Sequence, residues 1–414
     1  MDRPVTILGA GLVGICSALS LAERGVAVRI IERGEPGQET SSGNAGVISP
    51  WSFVPQSLPG LWRHLPALMF GRYRPLSVRL AAWPRMIPWG LRFLANGTEA
   101  RVRRAADAME LLCAPSVALF RRHLQGTGGE GLVVDCAYVH AFRQADRARL
   151  DALDYRIRAE KGARLELVGA DELHRIEPAL SPDFRAAILI HGQARARSPG
   201  RIGEVLAAKA RGLGVAFLRD EVRAIWRQGE TWQIECNMGE HAAQRIVVAM
   251  GAWSASLLKG IGLSVPMMAE RGYHVEFPGA EVALNNSVMD VDAKIVASSM
   301  EGGLRVAGQA EFASVDAPPS AGRLRRLTGQ ARGLVPGLEG IAPRTWMGRR
   351  PSFPDSLPMI GAVPGRPGLF VNFGHSHYGL MMAPKSGELL ADLMTGRAAN
   401  ADPSAFSPSR FGGG

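Results

Sequence analysis

The sequence predicts an α/β fold: a parallel sheet assembled from both ends of the chain, with an α+β region on an antiparallel sheet set between them. Three observations predict it. A short apolar run, Val5 to Leu8, leads into Gly9-Ala10-Gly11-Leu12-Val13-Gly14, a helical apolar pattern, a stop at Gly25 and a second apolar run ending at Glu32. A later helix and strand of the same kind, Ser198 to Gly212 and Val215 to Leu218, precede a buried strand that ends in a glycine turn at Gly251. The C-terminal strand Leu369 to Phe373 runs into Gly374-His375-Ser376-His377-Tyr378-Gly379-Leu380-Met381 and then a helix.

Strand, glycine turn, helix, strand and acidic residue in that order form the Rossmann-like fingerprint of dinucleotide binding. Gly9 permits the tight turn, Gly11 lets a pyrophosphate approach the backbone, and Gly14 lets the helix pack close to the sheet. Ala10, Leu12 and Val13 complete the turn and the first helical residues, whose free N–H groups favour an anion. Glu32 is placed to accept hydrogen bonds from a ribose and disfavours a 2′-phosphate, which leaves NAD or FAD. The uncharged run from Pro4 to Ala22 could also suit a signal peptide or membrane span. Its interrupting glycines, the near-absence of a basic leader and the second strand argue against that reading.

At 414 residues the chain can hold two domains or one large composite. A hydrophobic content of 46% with 21% charged residues is that of a globular protein, and no stretch reads as a bilayer-spanning helix. Cys16, Cys113, Cys136 and Cys236 are scattered, which points to a reducing compartment, with no zinc site and no disulfide framework. A cytoplasmic location is expected. The net charge of +10 suits either a functional anionic partner or an arginine-rich composition spread along the chain.

Taken in order, Arg33 to Gly37 and then Glu39-Thr40-Ser41-Ser42-Gly43-Asn44-Ala45-Gly46 read as a loop of small and hydroxyl residues on the ligand side of the sheet. From Thr40 to Thr98 there is no Asp or Glu, while six arginines and four tryptophans fall among leucines, and the prolines at 59, 66, 75, 84 and 88 predict several short helices. Such a layer suits peripheral association with an anionic membrane, or packing on the protein's own core. Helices are expected over 100–125 and 150–161, strands at 132–134 and 138–140, and a hairpin at 221–225 and 232–236. Antiparallel strands at 273–277 and 304–308 and a basic helix at 323–334 follow. Gly348-Arg349-Arg350-Pro351 precedes the last strand and helix.

With both ends of the chain in view, the sequence resembles the FAD-dependent D-amino acid oxidase-like superfamily, nearest the bacterial D-amino acid dehydrogenases. The likeness rests on the N-terminal fingerprint, Ser41 to Gly46, the Gly-x-Arg-Pro equivalent at Gly348 to Pro351, and the Gly374-His375…Gly379 turn. It implies non-covalent FAD, with adenosine on Glu32 and Arg33, and Ser41, Ser42, Asn44, Ala45, Gly46 and Val47 along pyrophosphate and flavin. Val222 would contact the adenine side through its backbone, Gly251 and Trp253 would border the cofactor, and Gly374, His375, Gly379, Leu380 and Met381 would flank the isoalloxazine. Arg350 matches the arginine that grips the substrate carboxylate, a task suited to a guanidinium fork. Tyr273, His375 and Tyr378 are further candidate catalytic residues, with His274 and His377 beside them. Relatives commonly read Gly-His-Gly where this chain has Gly374-His375-Ser376, so a backbone angle served by glycine is altered here.

The resemblance implies a cofactor domain of residues 1–50, 165–262 and 346–414, and a substrate domain of 51–164 and 263–345 that includes the basic, aromatic segment 51–95. The expected reaction is oxidative deamination of a D-amino acid, with electrons passed to a quinone or respiratory carrier at the cytoplasmic face of the inner membrane. An oxygen-using oxidase, or an enzyme for a secondary amine such as D-hydroxyproline or an N-methyl amino acid, is the alternative. A flavin-dependent tRNA-modification enzyme is the reading from another class, but no RNA-binding module is visible and no nucleic acid partner is expected.

Overall fold

The computed structural model describes residues 4–398 and 402–411; the outermost residues of the expected 1–50 and 346–414 segments lie outside these. Nineteen strands run in chain order among the described residues. They are β1 Val5–Leu8, β2 Val28–Glu32, β3 Val47–Ile48, β4 Leu76–Val78, β5 Val133–Phe142, β6 Leu165–Gly169 and β7 Ala186–Ala196. Then come β8 Ala216–Arg219, β9 Val222–Gln228, β10 Thr231–Cys236, β11 Gly239–Ala243, β12 Ile246–Val248 and β13 Met268–Phe277. The last are β14 Ser287–Asp290, β15 Ile295–Met300, β16 Gly303–Phe312, β17 Arg344–Ser352, β18 Met359–Ala362 and β19 Leu369–Phe373.

The first sheet has the order β18-β19-β12-β1-β2-β8. All its pairings are parallel except β18 with β19. β1 lies between strands from the middle and the start of the chain because it is apolar on both faces, as a strand covered by helices must be. The helix Leu12–Ala22 follows it at once. There Gly14 is needed, since a Cβ would stand 2.0 Å from the Gly9 carbonyl oxygen. The C-terminal helix Gly379–Thr395 packs on this first helix, with Gly387 against the Cys16 backbone and Arg24 paired to Asp392 at 2.7 Å. The two ends of the chain are thus joined through one apolar core that includes Ile15, Leu19, Met382 and Leu390. Each such side chain contributes roughly 1.5–3 kcal/mol when fully buried.

The second sheet runs β17-β13-β16-β15-β14-β5-β7-β3, with β4 on β16 and β6 on β7. One face carries the core of Val139, Val275, Ile295 and Val306 under the helix Ala321–Leu334. The other face looks toward the glycine-rich turns of the first sheet and walls the cavity described below. A three-stranded sheet, β11-β10-β9, lies apart.

Several expectations are corrected. The ten-stranded sheet takes β6 and β7 from the expected 165–262 segment, and β17 (Arg344–Ser352) straddles the expected boundary at 346. β7 has no counterpart in the sequence reading. The residues 39–42 form one helical turn rather than a loop. Residues 100–125 make two helices, Glu99–Cys113 and Ser116–Leu124, interrupted at Pro115. In the 51–95 segment Pro66 and Pro88 sit inside the helices Leu61–Phe70 and Trp83–Ala95 and do not end them. Among the described residues no helix is long and apolar enough to cross a membrane.

Candidate active site

A cavity of about 1050 Å³ runs between the two large sheets, from Glu32 and Val222 at one end to Arg350 and Tyr378 at the other. At the first end Gly9 adopts φ +107°, and a Cβ there would meet the Ala249 carbonyl oxygen at 2.6 Å. Gly11 and the first helical residues, Leu12 and Val13, line the cavity; Ala10 and Gly14 are packed behind it. Glu32 accepts the Ala10 N–H at 2.7 Å and the Gly34 N–H at 3.1 Å, so the carboxylate braces the glycine turn from within. Arg33 lies over the Trp253 ring at 4.1 Å and pairs with Glu39 at 2.6 Å. Gly251, with φ +53° and open space where a Cβ would be, leaves room beside Val222 and Trp253.

Along the middle, the Ser41 hydroxyl accepts the Leu12 N–H at 3.1 Å, which ties the 39–42 turn to the helix N-terminus. Asn44 accepts the Gly46 N–H at 2.8 Å and, with Ala45 and Val47, faces the cavity. Ser42 and Gly46 do not line it. Ser42 donates to the Glu39 carbonyl and packs toward Gly200, while Gly46, at φ +81°, stands against the Ala196 carbonyl.

At the far end Gly374 (φ +90°), His375, Ser376, His377, Tyr378, Gly379, Leu380 and Met381 form the wall. Ser376 holds φ +48°, the left-handed region that glycine would enter at less cost, and its buried hydroxyl has no hydrogen-bond partner. His375 is buried with an unpartnered Nε2, and burial pushes its pKa down to about 3, so the ring stays neutral.

The polar centre of this end is Arg350. Its Nη1 donates at 2.9 Å both to Glu270 and to the Gln309 carbonyl. No partner for Nε or Nη2 occurs among the described residues. Glu270 also meets His377 Nε2 at 2.7 Å and accepts the Ser352 hydroxyl at 3.1 Å. Burial alone would raise the Glu270 pKa, but His377 and Arg350 outweigh it and hold it down to about 2. His377 is pushed down by burial despite the pull of Glu270, and its Nδ1 bonds Gln56 at 2.8 Å. Gly272 lies directly beneath the guanidinium: a Cβ there would stand 2.2 Å from Arg350 Nη2. The arrangement is a fork with one prong fixed by a buried carboxylate and the rest presented to the cavity.

Two of the expected catalytic hydroxyls are committed elsewhere. Tyr273 donates to Glu311 at 2.6 Å and accepts the Ser320 N–H at 3.1 Å, on the side of the sheet facing the helix Ala321–Leu334. Period-two alternation sends the Tyr273 ring into the core under that helix while Glu270 and Gly272 face the cavity, which Tyr273 also borders. Tyr378 donates to the Val54 carbonyl at 3.1 Å, and burial pushes its pKa up. His274 stacks on Trp346 at 4.9 Å and bonds the Gly43 carbonyl, with burial lowering its pKa to about 3. Glu270 and Gln56 were missed by sequence reasoning; for Glu270 the available signal was a charged residue in the strand Met268–Phe277, which is buried almost throughout.

No metal ligand set was expected, yet Asp220, Cys236 and His241 come together. The Asp220 carboxylate accepts the Glu221 and Met238 N–H groups, and the Arg29 guanidinium near Cys236 opposes a cation there.

The residues fit FAD. A long cavity with a glycine cradle and a helix N-terminus at one end, and unpartnered buried His375 Nε2 and Ser376 Oγ at the other, matches an elongated dinucleotide carrying a flat polar ring. The chain is similar to a D-amino-acid oxidase of Bradyrhizobium diazoefficiens, 34% identical over 99% of both chains. It is also similar to a D-amino acid dehydrogenase of Rhizobium rhizogenes, 30% identical over 99% of this chain and 100% of the relative. The crystal structure of glycine oxidase from Geobacillus kaustophilus superposes with a TM-score of 0.75 at 25% identity, covering 98% of each chain. That of L-proline dehydrogenase from P. horikoshii shares the fold, with a TM-score of 0.76 at 20% identity over 99% of this chain and 98% of that one. The family model described as FAD dependent oxidoreductase matches residues 4–393. With the fingerprint at one end of the cavity and the Gly374–Met381 wall at the other, this chain belongs to that family of FAD-dependent oxidoreductases.

Proposed function

We propose that this enzyme oxidises the α-carbon of a D-amino acid, giving an imino acid that water converts to a 2-oxo acid and ammonia. FAD, when bound, supplies the acceptor for the hydride. The observation that carries the reading is Arg350, whose free donors face the cavity while Glu270 and the Gln309 carbonyl fix its position. A planar fork held in this way binds a carboxylate through two parallel hydrogen bonds and sets the orientation of the Cα–H bond. Trp89, Met268 and Phe312 form an apolar cluster next to this end, with Trp89 and Phe312 in the cavity wall, and exclude water from it. The names of the two relatives support the choice of substrate. Anaerobic bleaching of the flavin by D- and L-amino acids, proline derivatives and N-methyl amines tests it. Reduction by the L-enantiomers or by secondary amines alone would replace the D-amino acid reading.

For the acceptor we favour a quinone at an anionic membrane surface. The helices Leu61–Phe70 and Trp83–Ala95 turn Leu61, Leu65, Leu68, Met86 and Phe93 toward the cavity. Their outer side exposes Trp62 (59%), Phe70 (71%), Ile87 (56%) and Leu91 (65%), with Leu80 (88%) between them. An apolar outer face among arginines, in a segment with no acidic residue, suits the headgroup layer and would bring the acceptor to the cavity roof. Flotation with vesicles containing phosphatidylglycerol should capture the holoenzyme, and a Trp62→Ser/Phe70→Ser/Ile87→Ser variant should stay unbound. The relative named an oxidase favours oxygen instead; fast reoxidation in air with stoichiometric peroxide would decide for it.

A further inference from the structure

The cavity has a second cationic corner beyond Arg350. Lys294 closes the turn between β14 and β15 at φ +56°, and its accessible surface opens on the cavity wall. The three acids around it have arginines of their own: Asp290 with Arg143 at 2.7 Å, Asp154 with Arg158 at 3.0 Å, and Asp292 with Arg147. Lys294 itself has no ion-pair partner among the described residues. Across the wall, His140 is buried with Nδ1 bonded to the Tyr155 hydroxyl at 2.7 Å and Nε2 without a partner. With that hydroxyl donating to Nδ1, the ring proton sits on Nε2 as an unused donor. Burial, then the charges of Arg158 and Lys294, hold this ring neutral.

Register sets the spacing. Ile295 pairs with Gly308, so Lys294 lies one strand across from Gln309, whose carbonyl accepts Arg350 Nη1. Strands are about 4.8 Å apart, so the Lys294 backbone lies roughly one strand spacing from the carbonyl that anchors the guanidinium, and both residues line the same cavity. A four- or five-carbon dicarboxylic amino acid would fit between these two cations, with one carboxylate toward each. Val296, Met289 and Ala307, which share the wall between the corners, are apolar and suit the connecting methylenes.

We infer that the substrate chamber is built for an amino acid with a second carboxylate, held by Lys294 while Arg350 holds the first. The second carboxylate belongs either to the side chain or to a substituent on the amine nitrogen. This rests on the amine-oxidising reading above, and D-alanine separates the two questions. If D-alanine bleaches the flavin of the holoenzyme but neither D-glutamate nor D-aspartate is a better substrate than its amide and iminodiacetate is no better than N-methylglycine, the inference is overturned and the function stands. If no amino acid bleaches it, both fall.

The expected result is a kcat/KM for D-glutamate or D-aspartate at least tenfold above that of the matching amide. Preference for iminodiacetate over N-methylglycine would place the second carboxylate on the nitrogen instead. Lys294→Met should bring the acid-to-amide ratio to about one, and Lys294→Arg should retain most of it. A loss of equal size for acid and amide would make Lys294 a partner of the α-carboxylate and overturn the inference. Should the variant lose its flavin, glutarate against butyrate as inhibitors of the wild-type enzyme gives the same decision: at least tenfold tighter inhibition by glutarate supports the second anchor, and equal inhibition removes it.

Discussion

Arg350 has two obligations, and its removal should expose both. Arg350→Ala takes away the free prongs of the fork and leaves Glu270 buried without its arginine. We expect KM for a neutral D-amino acid to rise at least a hundredfold, the scale of losing a charge-assisted pair of hydrogen bonds. The melting temperature should fall as well, because Glu270 stays buried with only His377 and Ser352 as partners, and breaking a buried ion pair costs several kcal/mol. A variant with lower stability but unchanged KM would make Arg350 purely structural. The arginine was legible from Gly348-Arg349-Arg350-Pro351, whereas its anchor was not. Glu270 lies 80 residues earlier, and only the pairing of β13 with β17 brings it opposite Arg350. Ser376 was partly legible: the substituted glycine could be read, and the structure adds that serine keeps the left-handed angle. Ser376→Gly should therefore raise stability by about 1 kcal/mol, read as a higher melting temperature of the holoenzyme.

Individual elements act on the site through what they leave empty. Gly272, in the middle of β13, makes the floor on which the guanidinium lies. A methyl group there meets the movable end of an arginine rather than backbone, so Gly272→Ala should fold and bind FAD normally yet push the fork out of place. Steady-state kinetics should show KM up about tenfold with the flavin spectrum unchanged; unaltered KM would mean the fork has room to spare. β1, the following helix and Gly9 to Gly14 could be read because every requirement is local in sequence. β7 could not. Its alternation is blurred by Gly192 and Gln193, and its place between β5 and β3 is set by partners far off in sequence, such as Val139 for Leu189 and Val47 for Arg195. That Glu311 holds the Tyr273 hydroxyl was hidden for a related reason, since the face of a strand depends on register and not on proximity to a motif.

For the whole molecule, several histidines are kept neutral by burial. The pKa of His123 is pushed down to about 4, those of His274 and His375 to about 3, and that of His140 well below its ordinary value. An unfolded chain protonates these rings near pH 6.5, so below that pH the unfolded state binds more protons and stability falls with pH. Glu270 adds to the fall below about pH 4, where its depressed pKa separates it from an unfolded carboxyl. Each neutral ring contributes a slope of at most about 1.4 kcal/mol per pH unit, and thermal melts of the holoenzyme from pH 7.5 to 5 should show a steady decline. A flat profile over that interval would mean the rings are solvated in the folded protein. The alternation of helix and strand at the chain's two ends was readable in outline; the route by which 51–164 and 263–345 return to the same cavity was not, because it is built from non-local pairings. The placement of one wall at Gly9–Glu32 and the other at Arg350–Met381 has a consequence for biogenesis. A ribosome must release nearly the whole chain before the cofactor can be clasped. Apoprotein at that moment carries an empty chamber between two sheets, vulnerable to proteases, so cellular flavin supply at the end of synthesis should govern how much enzyme survives.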